Sequence, residues 1–89
     1  MKKLHIDGAQ IRTPAAFYAE LGKSVELPAH FGKNLDALWD FLTTELGGGL
    51  EIHWHNFASY SAEEKKQMNG IRKLLEEAGA ERPEIRLVI

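Results

Sequence analysis

Cysteine is absent from the chain. That excludes a disulfide framework, a thiolate metal centre and a thiol nucleophile. No stretch approaches the ~20 consecutive apolar positions of a membrane-spanning helix. The two lysines after Met1 lead into alternating residues rather than an apolar run, so no signal peptide is expected and the cytoplasm is the expected location. Internal repeats, linkers and low-complexity segments are missing too. The last scarcity is local. Between Asn34 and Ile52 there is no lysine or arginine, while Asp36, Asp40, Glu45 and Glu51 all fall there. A phosphate backbone needs clustered basic residues, so this stretch argues against direct nucleic-acid binding and suits a basic partner instead.

What is present reads as one ordinary globular domain over residues 1–89, with 44% hydrophobic and 27% charged residues and a net charge of −2. Lys3 to Asp7 alternates, with Leu4 and Ile6 on one face and His5 on the other, and Asp7-Gly8 follows as a turn. Thr13-Pro14 is a helix start whose helix should run to about Leu21 and stop at Gly22. Residues 22–33 read as a connection with a turn or two of helix. Leu50 to His55 alternates again, with Leu50, Ile52 and Trp54 opposite Glu51, His53 and His55. Phe57 to Tyr60 suggests a short helical turn. Ser61 with Glu64 has the form of a capping box. Met68, Ile71, Leu74, Leu75 and Ala78 then mark an amphipathic helix, with Gly79 as its expected terminator and Gly70 as a weak point inside it. Glu84 to Ile89 closes the chain as a strand with Ile85, Leu87 and Ile89 on one face.

Strands separated by helices imply parallel pairing through right-handed crossovers. The expected fold is therefore α/β: a three-stranded parallel sheet packed with three to four helices. Parallel strands buried on both faces lack alternation, and these strands alternate. Helices mainly on one side, with a partly wet second face, follow from that.

The segment from Asn34 to Leu46 carries the functional signal. At 100° per residue Leu35, Leu38, Trp39, Leu42 and Leu46 share one side, the spacing of a core-facing stripe. Asp36, Asp40 and Thr43 form a second stripe beside it. Asn34 suits the N-cap, and Asp36 gains from the helix dipole. Asp40 gains less and repels Asp36 by a few tenths of a kcal/mol, the usual cost of like charges one turn apart. Folding does not require the pair. Two such carboxylates could serve acid/base or metal chemistry, or form a solvated face, but no nucleophile, base or further ligand accompanies them. A tryptophan on their border fits an interface better. His53 and His55, with His5, could ligate a metal, yet their spacing makes a poor zinc signature and surface histidines are the simpler reading. No metal or cofactor is expected. Gly47-Gly48-Gly49 lies between helix and strand as a flexible connection. Glu76 and Glu77 sit at an unfavourable helix end, and Glu77 lies off the apolar stripe.

The segment Leu27-Pro28-Ala29-His30-Phe31-Gly32-Lys33-Asn34-Leu35-Asp36-Ala37-Leu38-Trp39-Asp40 resembles the signature of the barstar family. Ile6 and Gly8 with Gln10-Ile11-Arg12, Trp54 with Phe57, and Glu77-Ala78 extend the likeness along nearly the whole chain. Members of that family are intracellular inhibitors of barnase-type ribonucleases. The resemblance implies that the acidic helix and preceding loop enter the enzyme's active site, with aspartates replacing substrate phosphate. Asp40 would then be the central mimic, Asp36 a second anchor, and Trp39, Thr43 and Asn34 surrounding contacts, with Glu77 adding a peripheral ion pair. His30 stands where a relative has a stacking tyrosine, and Thr44-Glu45 where the same relative has a Gly-Trp pair that touches the enzyme. The implied protein is not an enzyme and is monomeric when free. The alternative is a regulatory module that binds another basic protein through the same helix.

Overall fold

In the computed structural model, which describes residues 2–89, alternation of apolar and polar residues becomes a one-sided sheet. Strands β1 (Lys2–Asp7), β2 (Leu50–His55) and β3 (Ile85–Val88) pair in parallel, in the order β1-β2-β3. The register sets Leu4 beside Ile52, Ile6 beside Trp54 and Leu50 beside Ile85. All six of these side chains are buried. His5, His55 and Arg86 on the opposite face are exposed, and Glu51 and His53 are half-buried. Neighbouring strands in sequence order, linked by crossovers of one hand, place every connecting helix on the same side. The wet face expected from the alternation is therefore the second face of this sheet.

Helix α1 (Pro14–Ser24) and helix α2 (Leu35–Asp40) lie between β1 and β2, and α3 (Ala62–Glu81) lies between β2 and β3. A short 3₁₀ turn, Phe57–Ser59, precedes α3. Thr13 caps α1 by accepting from the Ala16 N–H, with Pro14 at the first helical position. Ser61 and Glu64 form the complete capping box of α3. Trp54 sits at the centre of the core, stacked on Phe17 at 5.5 Å and met edge-on by Phe57 and Tyr60.

Several boundaries differ from the sequence expectation. Helix α1 continues past Gly22 to Ser24, because Val25 is buried and its N–H still reaches the Leu21 carbonyl. Residues 25–34 contain no helix; a single turn closes from the Phe31 N–H to the Pro28 carbonyl. Helix α3 runs through Gly70 and beyond Gly79 to Glu81, so Gly79 does not terminate it. Both glycines are explained by close approach rather than by helix ending. A Cβ at Gly79 would stand 2.9 Å from the Ile85 carbonyl oxygen, and one at Gly70 would meet the Leu35 side chain at 3.2 Å. At the C-terminus Leu87 packs against the core, but the strand ends at Val88, and Ile89 lies past it and is exposed.

The acidic helix shows the largest departure. It is α-helical only to Asp40, and Phe41–Glu45 form a π-helical turn. There the Leu46 N–H reaches back five residues to the Phe41 carbonyl. The Thr43 and Thr44 hydroxyls donate to the carbonyls of Trp39 and Asp40, local bonding of the kind that bends or loosens a regular helix. Each residue of this wider turn advances by less than 100°, so the buried side widens at its C-terminal end while Leu38, Leu42 and Leu46 stay inward. Phe41 is buried as well, whereas Leu35, expected to face inward, opens α2 at the edge of α3 and is 42% exposed.

Candidate functional site

The loop before α2 is held by an aromatic residue. Phe31 packs edge-to-face between Tyr18 and Phe41, with ring centroids at 5.8 and 6.3 Å. With Phe31 seated inward, its neighbour His30 is exposed beside α2. Asn34 then caps the helix, its side-chain oxygen accepting from the Ala37 N–H at 2.8 Å. A Cβ at Gly32 would crowd that capping side chain at 3.1 Å. On the far side, Arg82 at the end of α3 reaches under the π turn. Its guanidinium donates to the carbonyls of Leu42, Leu46 and Gly48 at 2.8, 2.9 and 3.2 Å. A cation at the negative end of a helix satisfies carbonyls that the backbone leaves unpaired. The segment is thus fixed at both ends.

Between these anchors Asp36 and Asp40 form an exposed crest. Among the described residues neither carboxylate takes part in an ion pair. Shallow grooves flank the crest. One runs between α2 and α3 and is lined by Leu35, Asp36, Trp39, Lys73 and Glu77. The other lies between α2 and the preceding loop and is lined by His30, Phe31, Asp40, Thr44 and Glu45. Six of the eight residues singled out in the sequence (His30, Asp36, Trp39, Asp40, Thr44 and Glu77) therefore border these two grooves. Thr43 and Asn34 do not. The π turn leaves Thr43 half-buried with its hydroxyl bonded to Trp39, and Asn34 faces a separate hollow with Tyr18, Lys33 and Ile71.

Sequence reasoning missed two contributors, Lys73 and Arg82. Lys73 brings a positive charge from α3 into a surface that looked free of bases, a contact invisible until the helices are packed. Glu45, which stands where a relative has an enzyme-touching residue, joins the His30–Asp40 groove. Arg82 carried no signal at all, because it acts through main-chain carbonyls 34 to 40 positions away.

Fold and surface together define a small α/β protein whose acidic helix is buttressed from behind and open to solvent in front. The chain belongs to the barstar family, described as "Barstar (barnase inhibitor)", with the match covering residues 1–89. It is also 28% identical over 90 residues to "Putative ribonuclease inhibitor YrdF" of Bacillus subtilis (strain 168), spanning 100% of this chain and 99% of that protein.

Proposed function

We propose that this protein inhibits a basic ribonuclease of the barnase type by inserting α2 and the 28–34 loop into the nuclease's substrate cleft. The family and its ribonuclease-inhibitor relative support the class of activity. The observation that carries the mechanism is the crest itself: two exposed carboxylates one turn apart, unpaired within the described residues, on a helix braced by Asn34 and Arg82. A nuclease cleft that binds RNA phosphates presents Lys or Arg, and a rigid pair of carboxylates offers those cations the same negative charge. Asp40 occupies the central position and Asp36 the second. Trp39 and Glu77 complete the α3 side, while His30 and Thr44 complete the loop side. The free protein keeps the acids hydrated, so it bears only their mild mutual repulsion. The protein performs no chemistry of its own; inhibition follows from occupying the cleft. Its expected setting is the cytoplasm, where it acts as a monomer against one nuclease molecule.

The test is titration of the protein into RNA cleavage by barnase-type ribonucleases. Stoichiometric inhibition is expected with the nuclease it fits, and Asp40→Ala should weaken it by about 2 kcal/mol or more, as for a central interface anchor. Asp36→Ala should weaken it by less. If both variants inhibit as well as the unaltered protein, the crest is not the recognition surface.

A further inference from the structure

The open face of the sheet brings together three imidazoles that the proposed inhibitor role does not use. His5 of β1 stands directly beside His53 of β2 in the parallel register, and His55 follows on the same face. The ring centroids lie 5.0 Å apart for His5–His53, 5.8 Å for His5–His55 and 6.4 Å for His53–His55. Three imidazoles bound to one tetrahedral zinc through ~2 Å Zn–N bonds have centroids roughly 5 Å apart. One edge of the observed triangle has that length and the other two are somewhat longer, a gap that side-chain rotation can close. We propose that His5, His53 and His55 form a surface site for one borderline divalent transition-metal ion, the class that includes Zn²⁺, Ni²⁺ and Cu²⁺.

The rings are stacked, with interplanar angles of 25°, 6° and 20°, and no three donors among the described residues already converge on a point. Binding therefore requires the His5 and His55 rings to turn about their side-chain bonds toward His53, which Glu51 holds. His5 and His55 are exposed and His53 is half-buried, so solvent-facing rotamers are within reach. Glu51 supplies a further element. Its carboxylate holds the His53 Nε2 at 2.5 Å, which leaves Nδ1 to face the metal. A carboxylate behind a ligating histidine fixes the ring and raises its basicity. Lys3 and Arg86 act on Glu51 from the far end of the face, and Asp7 lies beside His55 at the near end. Neutral imidazoles and waters complete the coordination. The preference within the class follows the usual rise toward copper among first-row ions.

Zinc chloride titrated into the full chain, followed by calorimetry and by imidazole NMR signals, tests this. One Zn²⁺ per chain is expected, with shifts at His5, His53 and His55 and none at His30. His53→Gln should weaken binding at least tenfold, and Glu51→Gln roughly tenfold. Asp36→Asn should leave the titration unchanged, which separates this site from the acidic crest. Lowering the pH from about 7.5 to 5.5 should abolish binding, because protons compete for the same nitrogens. Absence of saturable binding, shifts at only one of the three rings, or undiminished binding by the combined His5→Gln, His53→Gln, His55→Gln variant would overturn the proposal. Should that variant not fold, the NMR pattern of the unaltered protein decides alone.

Discussion

Tyr60 shows how a single hydroxyl can hold three segments together. It is 4% exposed, accepts from the indole N–H of Trp54 at 3.2 Å and donates to the Ile11 carbonyl. The 3₁₀ turn, the central strand and the loop after β1 are joined through it. Tyr60→Phe keeps the ring but leaves the Trp54 N–H in the core without its acceptor. The expected cost is about 1–3 kcal/mol, the penalty for a buried polar group left unpaired, read as a lowered urea midpoint with an unchanged slope. At the same scale, the unpaired state of Asp36 and Asp40 contrasts with the polar side chains that bridge separate elements. Arg12 is bound to Glu64, and Asp7 to Asn56. These groups hold the protein together, whereas the crest acids hold nothing internal.

Among the elements, α2 depends most on others. Its α-helical part is six residues long, too short to persist alone, and it continues as a π turn. Arg82 compensates by bonding three carbonyls from below while only 21% of its side chain is exposed. Arg82→Met should preserve the stem's packing and remove these charge-assisted bonds, at a cost of about 2 kcal/mol. Amide exchange should then quicken for residues 41–49 before it does for β2. This is also where legibility in the sequence ends. The strands, the capping box and the start of α1 follow rules confined to neighbouring residues, so alternation and local spacing reveal them. The π turn does not, because Phe41 and Leu42 are drawn into a core defined by distant elements. Gly70 and Gly79 look like helix weaknesses in sequence and are packing requirements in space. The acidic crest was legible because it breaks a local rule, two like charges one turn apart, without any structural need for them. Its split into two grooves depends on Phe31 and α3, which no spacing argument could place.

For the molecule as a whole, titrating groups set opposite limits on stability. Asp7, Glu51, Glu64 and Glu84 all ionise below their ordinary values of 3.8 or 4.5. The chief causes are hydrogen bonds: from Asn56 to Asp7, from His53 to Glu51, from the Ser61 N–H to Glu64, and from its own backbone N–H to Glu84. A carboxylate with a depressed folded pKa stabilises above its unfolded pKa and loses that contribution as the pH falls toward the folded one. Tyr18 and Tyr60 behave oppositely, since burial raises both above the ordinary 10.0. Their contribution is complete below that value and fades as the pH rises through the folded pKa. Urea midpoints measured across pH should therefore be flat near neutrality, fall below about 4.5 and fall again above about 10. Tyr60→Phe should blunt the alkaline decline and leave the acid one intact.

Because both crossovers lie on one side of the sheet, the molecule has a front that carries the acidic helix and a back that carries almost nothing structural. Dyes, tethers or a sensor surface attached at His5 or His55 would leave α2 pointing into solution with every molecule oriented alike. If the proposed recognition by α2 holds, a domain of 89 residues immobilised by this rear panel would serve as a capture reagent for its partner.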